Sequence, residues 1–98
     1  MASDLAAGRV VLLQETHWSP ATAAVWGQVF QDASLASSPA RQGPGGGLQG
    51  GVAVVVPQPL ALVEAREVVP GVAVEALVRG PGEGGREARV MSVYLPPD

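Results

Sequence analysis

The segment Val10-Val-Leu-Leu-Gln-Glu15 is a short apolar run that leads directly into a carboxylate. Its four apolar residues do not alternate with polar ones, and two of them are β-branched. A run of this kind predicts a strand that is buried on both faces, as in the middle of a parallel or mixed sheet. The segment therefore predicts a sheet in which Glu15 lies at the carboxyl end of one strand.

A helix is predicted directly after this strand. Ser19 offers a hydroxyl group for the N-cap, and Pro20 has the fixed φ that suits the first helical turn. We expect the helix to end near Val29 or Phe30. The residues predicted to form its apolar stripe at helical spacing are Trp18, Ala21, Val25 and Val29.

The remainder of the chain predicts mainly strands joined by short turns. The predicted strands are residues 51–57, 60–69, 72–79 and 88–95, with a weaker strand around Leu35. Residues 42–51 contain six glycines and one proline and predict a flexible loop. One strand–helix unit followed by such a run indicates an antiparallel meander. The predicted class is α/β (α+β), with mostly antiparallel strands and one or two helices.

Length and composition limit the classes of protein that fit. The 98 residues suffice for one small domain, and a chain that is 47% hydrophobic and 15% charged is typical of a folded core. Val and Ala dominate the apolar residues, so we expect a core of small side chains. Without Cys, the chain forms neither a disulfide framework nor a thiolate metal site.

The charge of the chain argues against an autonomous nucleic-acid binder, which usually presents a basic face. The net charge is −3, and all six cationic residues are arginines. Arg79, Arg86 and Arg89 flank a glycine-rich loop, where a solvated cluster is favoured over a nucleic-acid contact. No targeting segment is predicted, and the longest apolar runs are too short to cross a membrane.

Glu15 is the first candidate for chemistry. Open α/β sheets place ligand-binding groups at the carboxyl ends of their strands, where a carboxylate suits Mg²⁺. The alternative is a strand-end carboxylate that meets only solvent. His17 could act as a ligand or general base, but a single loop histidine is more often exposed and inactive. With one His and no Cys, the chain predicts no Ser/His/Asp or Cys/His constellation.

Tyr94 is the second candidate, because it falls at the carboxyl end of the last predicted strand. A tyrosine hydroxyl there can donate a hydrogen bond to a phosphate, or the ring can pack while the hydroxyl stays in water. The packing interpretation is favoured when the residue is considered alone. Trp18 and Trp26 are interpreted as residues that pack the helix on the sheet.

Three segments together resemble the endonuclease/exonuclease/phosphatase superfamily. Val10-Val-Leu-Leu-Gln-Glu15-Thr-His resembles its strand that ends in Gln-Glu-Thr, and Gly50-Gly51-Val-Ala-Val-Val-Val resembles its Gly-Gly-Val-Ala strand. Val90-Met-Ser-Val-Tyr94-Leu-Pro-Pro resembles its Asn-Val-Tyr strand, with Ser92 in place of Asn. The segments occur in the order of the family. The likeness is closest to the apurinic-type endonuclease domain of non-LTR retrotransposons.

The resemblance implies a four-layer α/β/β/α sandwich that cleaves phosphodiesters, with nucleic acid as the partner and Mg²⁺ as the cofactor. Glu15 would be the metal ligand, and Tyr94 would contact the scissile phosphate. In this chemistry the metal polarises the phosphate and a His–Asp pair activates water.

The chain also departs from the family pattern. The Asn-bearing first strand, the Gly-Asp-Phe-Asn segment and the carboxyl-terminal Ser-Asp-His are absent from it. We therefore expect residues 1–98 to be a partial domain that is inactive by itself and able to self-associate through exposed strand edges. The alternatives are a phosphatase or phosphodiesterase for small substrates, and a non-catalytic β-rich interaction module.

Overall fold

The computed structural model describes residues 9–30, 32–42, 47–82 and 84–95. These residues form antiparallel strands and one helix, so the predicted α+β class is confirmed. In chain order the elements are β1 (Val11–Gln14), α1 (Pro20–Val29), β2 (Ala33–Ser38), β3 (Arg41–Gln42), β4 (Leu48–Gln49), β5 (Val52–Pro57), β6 (Ala61–Val69), β7 (Ala73–Arg79) and β8 (Glu87–Val93).

The strands form three small sheets, with the orders β1-β5-β2, β3-β4 and β6-β7-β8. In the first sheet β5 lies in the centre and pairs antiparallel with β1 on one side and β2 on the other. The last three strands form an antiparallel meander, as the sequence predicts, but the predicted strand at 51–57 does not join it, because it is β5 of the first sheet. The strand predicted around Leu35 is also present, as β2.

The prediction that residues 10–15 form a strand buried on both faces is wrong. β1 is an edge strand, antiparallel rather than parallel, and Leu12 is 44% exposed. The fully buried strand is β5, in which every residue is buried. Both segments are unbroken apolar runs, and only long-range pairing decides which of them has a neighbour on each edge.

The core is built from small apolar side chains, as the composition predicts. Alternate residues of β5 and β7 point to one side of their sheets and share a cluster with β2. Its buried members are Ala36, Val52, Val54, Val56, Val74, Ala76 and Val78. Because full burial of a valine is worth roughly 1.5–3 kcal/mol, this cluster stabilises the contact between the two three-stranded sheets.

Helix α1 begins and ends as predicted. Ser19 is the N-cap, and its Oγ accepts a hydrogen bond of 3.2 Å from the Thr22 backbone N–H. Pro20 is the first helical residue, and the helix ends at Val29 with Phe30 as the C-cap.

The predicted apolar stripe of α1 is wrong. Val25 and Val29 are 58% and 55% exposed, and Ala23 is the buried residue of the helix. Trp26 stacks between Trp18 and Phe30, with ring centroids 5.8 and 5.7 Å apart. Apolar residues occur on several sides of this helix, so spacing alone does not select the face that meets the sheet.

The glycine-rich segment at 42–51 is only partly a loop. Arg41 and Gln42 pair with Gln49 and Leu48 to form the two-stranded sheet, while residues 43–46 of the predicted loop lie outside the described residues. In the described part of the chain, no helix has the length and apolarity needed to cross a membrane.

Candidate functional site

Glu15 and Tyr94, the two residues proposed from the sequence, line the same cavity. Its volume is about 420 Å³, and its lining consists of Gln14, Glu15, Val93, Tyr94 and Leu95. Glu15 directly follows β1, and Tyr94 directly follows β8. The two residues therefore lie at the ends of strands that belong to different sheets. The arrangement brings a carboxylate and a phenol into one open space.

A buried serine holds the two strands of this cavity together. The Ser92 hydroxyl on β8 donates a hydrogen bond of 2.8 Å to the Leu13 carbonyl on β1, and Ser92 is completely buried. In the resemblance, Ser92 stands where the family has Asn. In this chain the Ser92 side chain joins the two sheets. Ser92 lies two residues before Tyr94, and its acceptor, Leu13, lies two residues before Glu15.

Tyr94 is anchored on both its backbone and its ring. Its backbone N–H donates a hydrogen bond of 2.7 Å to the Val72 carbonyl. Its ring packs against the core cluster and against Gly50, where an added Cβ would lie 3.1 Å from the ring atom Cδ2. The packing interpretation therefore holds for the ring, while the hydroxyl contact with phosphate stays a prediction.

Glu15 lies in a backbone turn of an uncommon kind. Glu15 and His17 both have positive φ, at 51° and 54°. Few residues other than glycine adopt this conformation, and such outliers concentrate at functional sites. Here the conformation is held by hydrogen bonds from the Thr16 and His17 backbone N–H groups to the carbonyls of Gly51 (3.1 Å) and Gly50 (3.0 Å).

The glycines that face this turn are required by close approach. Gly50 and Gly51 have positive φ, and a Cβ on Gly50 would lie 2.6 Å from the Gly71 carbonyl oxygen. A Cβ on Gly51 would overlap Thr16 Oγ1. The Gly51 backbone N–H also donates a hydrogen bond of 2.7 Å to the Gly71 carbonyl. Close packing thus explains both glycines, since Gly50 meets the backbone of the turn between β6 and β7 and Gly51 meets the turn after β1.

The three segments that carry the family resemblance therefore meet at one end of the molecule. The turn around Glu15 bonds to Gly50 and Gly51, and the Tyr94 ring packs against Gly50. Each segment comes from a different strand, β1, β5 and β8. Because the three segments are far apart in the sequence, the motifs alone do not show that they meet. The fold brings them together.

His17 does not join the site. It is exposed, it is not among the residues that line the cavity, and the bond that fixes it is made by its backbone. The structure thus brings Glu15 and Tyr94 together but leaves His17 outside.

The chemistry of the cavity fits a hard cation in part. The Glu15 carboxylate and the Gln14 side-chain amide supply oxygen donors of the type that Mg²⁺ prefers. Across residues 9–30, 32–42, 47–82 and 84–95, no group of three or more His, Cys, Asp or Glu residues is close enough to hold a metal ion. A cation here would keep most of its ligands as water or substrate phosphate.

Sequence reasoning missed a second buried polar contact between the sheets. Ser38 is completely buried, and its Oγ donates a hydrogen bond of 2.7 Å to Glu67 Oε2 and accepts one of 2.6 Å from the Gly71 N–H. Ser38 belongs to a stretch with no clear periodicity, and Glu67 belongs to a strand that alternates only partly. Neither sequence pattern indicates that the Ser38 and Glu67 side chains meet.

Two of the three late arginines contact carboxylates. Arg79 lies 3.3 Å from Glu87, and Arg89 lies 2.9 Å from Glu75. These contacts offset the positive charge of the cluster and agree with a solvated face more than with a phosphate-binding one.

Comparisons with models of protein families, with curated proteins and with solved structures found no match to this chain.

Proposed function

We propose that this chain is part of a Mg²⁺-dependent domain that cleaves phosphodiesters in nucleic acid, with Glu15 as the metal ligand and Tyr94 as the phosphate contact. One observation carries the proposal. Glu15 and Tyr94 follow strands of different sheets and still line one cavity of about 420 Å³. The two residue types are those that the resemblance assigns to the metal and to the scissile phosphate.

The proposal includes the four-layer α/β/β/α arrangement. The sheets β1-β5-β2 and β6-β7-β8 would be the two inner layers, and their shared core of Val and Ala side chains supports this. Helix α1, in which Gly27 approaches the Leu35 side chain of β2, would be part of one outer layer. Residues that cover the outer face of β6-β7-β8 would complete the second.

In this mechanism the residues of the chain bind and orient the substrate. Glu15, together with Gln14 of the same lining, would hold the cation, and the Tyr94 hydroxyl would donate a hydrogen bond to a non-bridging phosphate oxygen. Bound Mg²⁺ would supply charge neutralisation at the phosphate. Water activation in this chemistry requires a His–Asp pair, and His17, the single histidine of the chain, lies outside the cavity. We therefore expect binding without turnover.

Paramagnetic broadening by Mn²⁺ tests the binding half of the proposal. In a ¹⁵N–¹H spectrum of the 98-residue chain, low concentrations of Mn²⁺ are expected to broaden the amides of Gln14, Glu15, Tyr94 and Leu95 first. Glu15→Gln, which removes the charge and keeps the shape, should abolish this effect. Glu87→Gln, at another exposed glutamate, serves as the matched control and should leave it intact. Uniform broadening at all carboxylates would refute the site.

Nicking of supercoiled plasmid tests the inactivity half. With Mg²⁺ present, the 98-residue chain is expected to produce no nicked circles above buffer alone, because the described residues that line the cavity include no His–Asp pair. Divalent-dependent nicking that disappears in Glu15→Ala would overturn the inactivity and still support the metal site. Nicking that Glu15→Ala leaves unchanged would count against the role of Glu15.

A non-catalytic β-rich interaction module is the second candidate, and the long open edge of β6 favours it. Under this alternative Glu15 and Tyr94 are ordinary strand-end residues, and Mn²⁺ produces no local broadening. A cooperative melt would favour the module, whereas an aggregating or molten chain would favour part of a larger domain.

A further inference from the structure

Strand β6 has an unusually open edge. It is the longest strand of the described residues, with nine residues, and it pairs only with β7. Eight of these nine residues are exposed, among them Val63, Val68 and Val69. A long exposed edge presents unpaired backbone N–H and C=O groups to a further strand. This edge therefore offers both hydrogen-bonding groups and apolar side chains to a partner.

Two of the three charges on this strand, those of Glu64 and Arg66, flank its midpoint. Ala65 is the central residue of β6, with Glu64 on one side and Arg66 on the other. The Arg66 side chain is 71% exposed, and its only ion-pair partner in the described part of the chain, Glu75, lies at the long distance of 3.7 Å. Glu64 forms no ion pair with any described residue. Both charges are thus available to a partner.

We propose that β6 pairs antiparallel with β6 of a second copy of this chain, about a twofold axis at Ala65. In this register Glu64 of each copy lies directly opposite Arg66 of the other, so symmetry creates the charge pair twice. Centring the axis on Glu64 or on Arg66 instead would place like charges opposite each other. The charge pattern therefore selects both the second copy as occupant and the register.

The local geometry of β6 suits this pairing. The irregularities of its ladder with β7 fall between Leu62 and Glu64 and between Glu67 and Val69, which leaves the segment 64–67 regular. Within this segment the register sets Glu64 opposite Arg66, and Glu67 meets Val63, which lies at the first irregularity. The six strands of the two copies would form one continuous sheet, with the outer faces on the same side.

This pairing is independent of the proposed phosphodiesterase function. The cavity with Glu15 and Tyr94 lies at the ends of β1 and β8. β8 forms the opposite edge of the sheet from β6, so the dimer leaves the cavity open. Failure of either proposal leaves the other unaffected.

Sedimentation equilibrium of charge variants at low salt tests the dimer. The unmodified chain is expected to be a dimer in reversible exchange with monomer. Glu64→Arg and Arg66→Glu should each raise the dimer Kd about tenfold, because two attractive pairs become repulsive. An equimolar mixture of the two variants should recover the affinity, since every Arg then faces a Glu.

Glu87→Arg on β8 is the control, because it changes the net charge by the same amount as Glu64→Arg on a different edge. It should leave the Kd of its own dimer unchanged. Its heterodimer with Arg66→Glu has one attractive and one repulsive pair, so it should be weaker than the heterodimer of Glu64→Arg with Arg66→Glu. Circular dichroism of each variant verifies folding. A monomer at millimolar concentration, larger aggregates insensitive to Glu64→Arg, or equal affinity of the two heterodimers would each overturn the proposal.

Discussion

The hydroxyl group of Ser38 lies 2.7 Å from the carboxylate oxygen Oε2 of Glu67, to which it donates a hydrogen bond across the two sheets. Ser38 ends β2, and Glu67 lies near the end of β6. The same hydroxyl accepts a hydrogen bond of 2.6 Å from the Gly71 N–H, in the turn between β6 and β7. One buried side chain therefore connects three segments that have no strand pairing with one another.

Ser38→Ala is expected to lower the free energy of unfolding by about 1–3 kcal/mol, since it leaves the buried Gly71 N–H without its acceptor. Urea denaturation monitored by circular dichroism measures the change. Ser34→Ala, at an exposed serine of the same strand, is the control and should change the free energy by less than about 0.5 kcal/mol. Equal effects of the two substitutions would contradict the role of Ser38.

Ser92→Ala is expected to loosen the cavity more than it loosens the core. The substitution removes the hydrogen bond to the Leu13 carbonyl, worth about 1 kcal/mol in the free energy of unfolding. Because this bond joins β1 to β8, the amide chemical shifts of Glu15 and Tyr94 should change more than those of β5. Shift changes spread evenly over both sheets would show that Ser92 does not position the cavity.

Local signals in the sequence predicted the elements well. Ser19 followed by Pro20 marks the start of α1 because the cap and the fixed φ act within one turn. Pro70-Gly71 marks the turn between β6 and β7 for a similar reason. Each of these features depends on neighbouring residues and on nothing farther along the chain.

Long-range relationships were not predictable in the same way. β5 lies between β1 and β2, although it follows both in the chain, and nothing in its apolar run distinguishes it from β1. Glu15 and Tyr94 could be proposed one by one from their strand-end positions. Their shared cavity lies beside the hydrogen bond between Ser92 and Leu13, which no pattern in the sequence indicates.

Val54→Ala is expected to be far more destabilising than Val25→Ala. Val54 is completely buried in the core cluster, and loss of its two methyl groups should cost about 2 kcal/mol. Val25 is 58% exposed on α1, where alanine is the better helix former, so its substitution should be neutral or slightly stabilising. Denaturation midpoints of both variants measure the difference. A marked loss of stability in Val25→Ala would instead support the apolar stripe that the sequence predicts for α1.

Gly51→Ala and Gly82→Ala separate the cost of positive φ from the cost of close contact. The two glycines have nearly the same φ, at 89° and 86°. Among the described residues, a Cβ on Gly82 would meet no atom within 4 Å, whereas a Cβ on Gly51 would overlap the Thr16 side chain. Gly82→Ala should therefore cost about 1 kcal/mol, from backbone strain alone.

Gly51→Ala should cost at least about 2 kcal/mol more, because the turn that carries Glu15 must move. Urea denaturation measures both values, and the Glu15 and His17 amide shifts report the displacement of the turn. If the two substitutions cost the same, the backbone conformation alone explains the glycine at position 51. In that case the close approach of the Gly-Gly pair to the Glu15 turn contributes nothing to the position of the cavity.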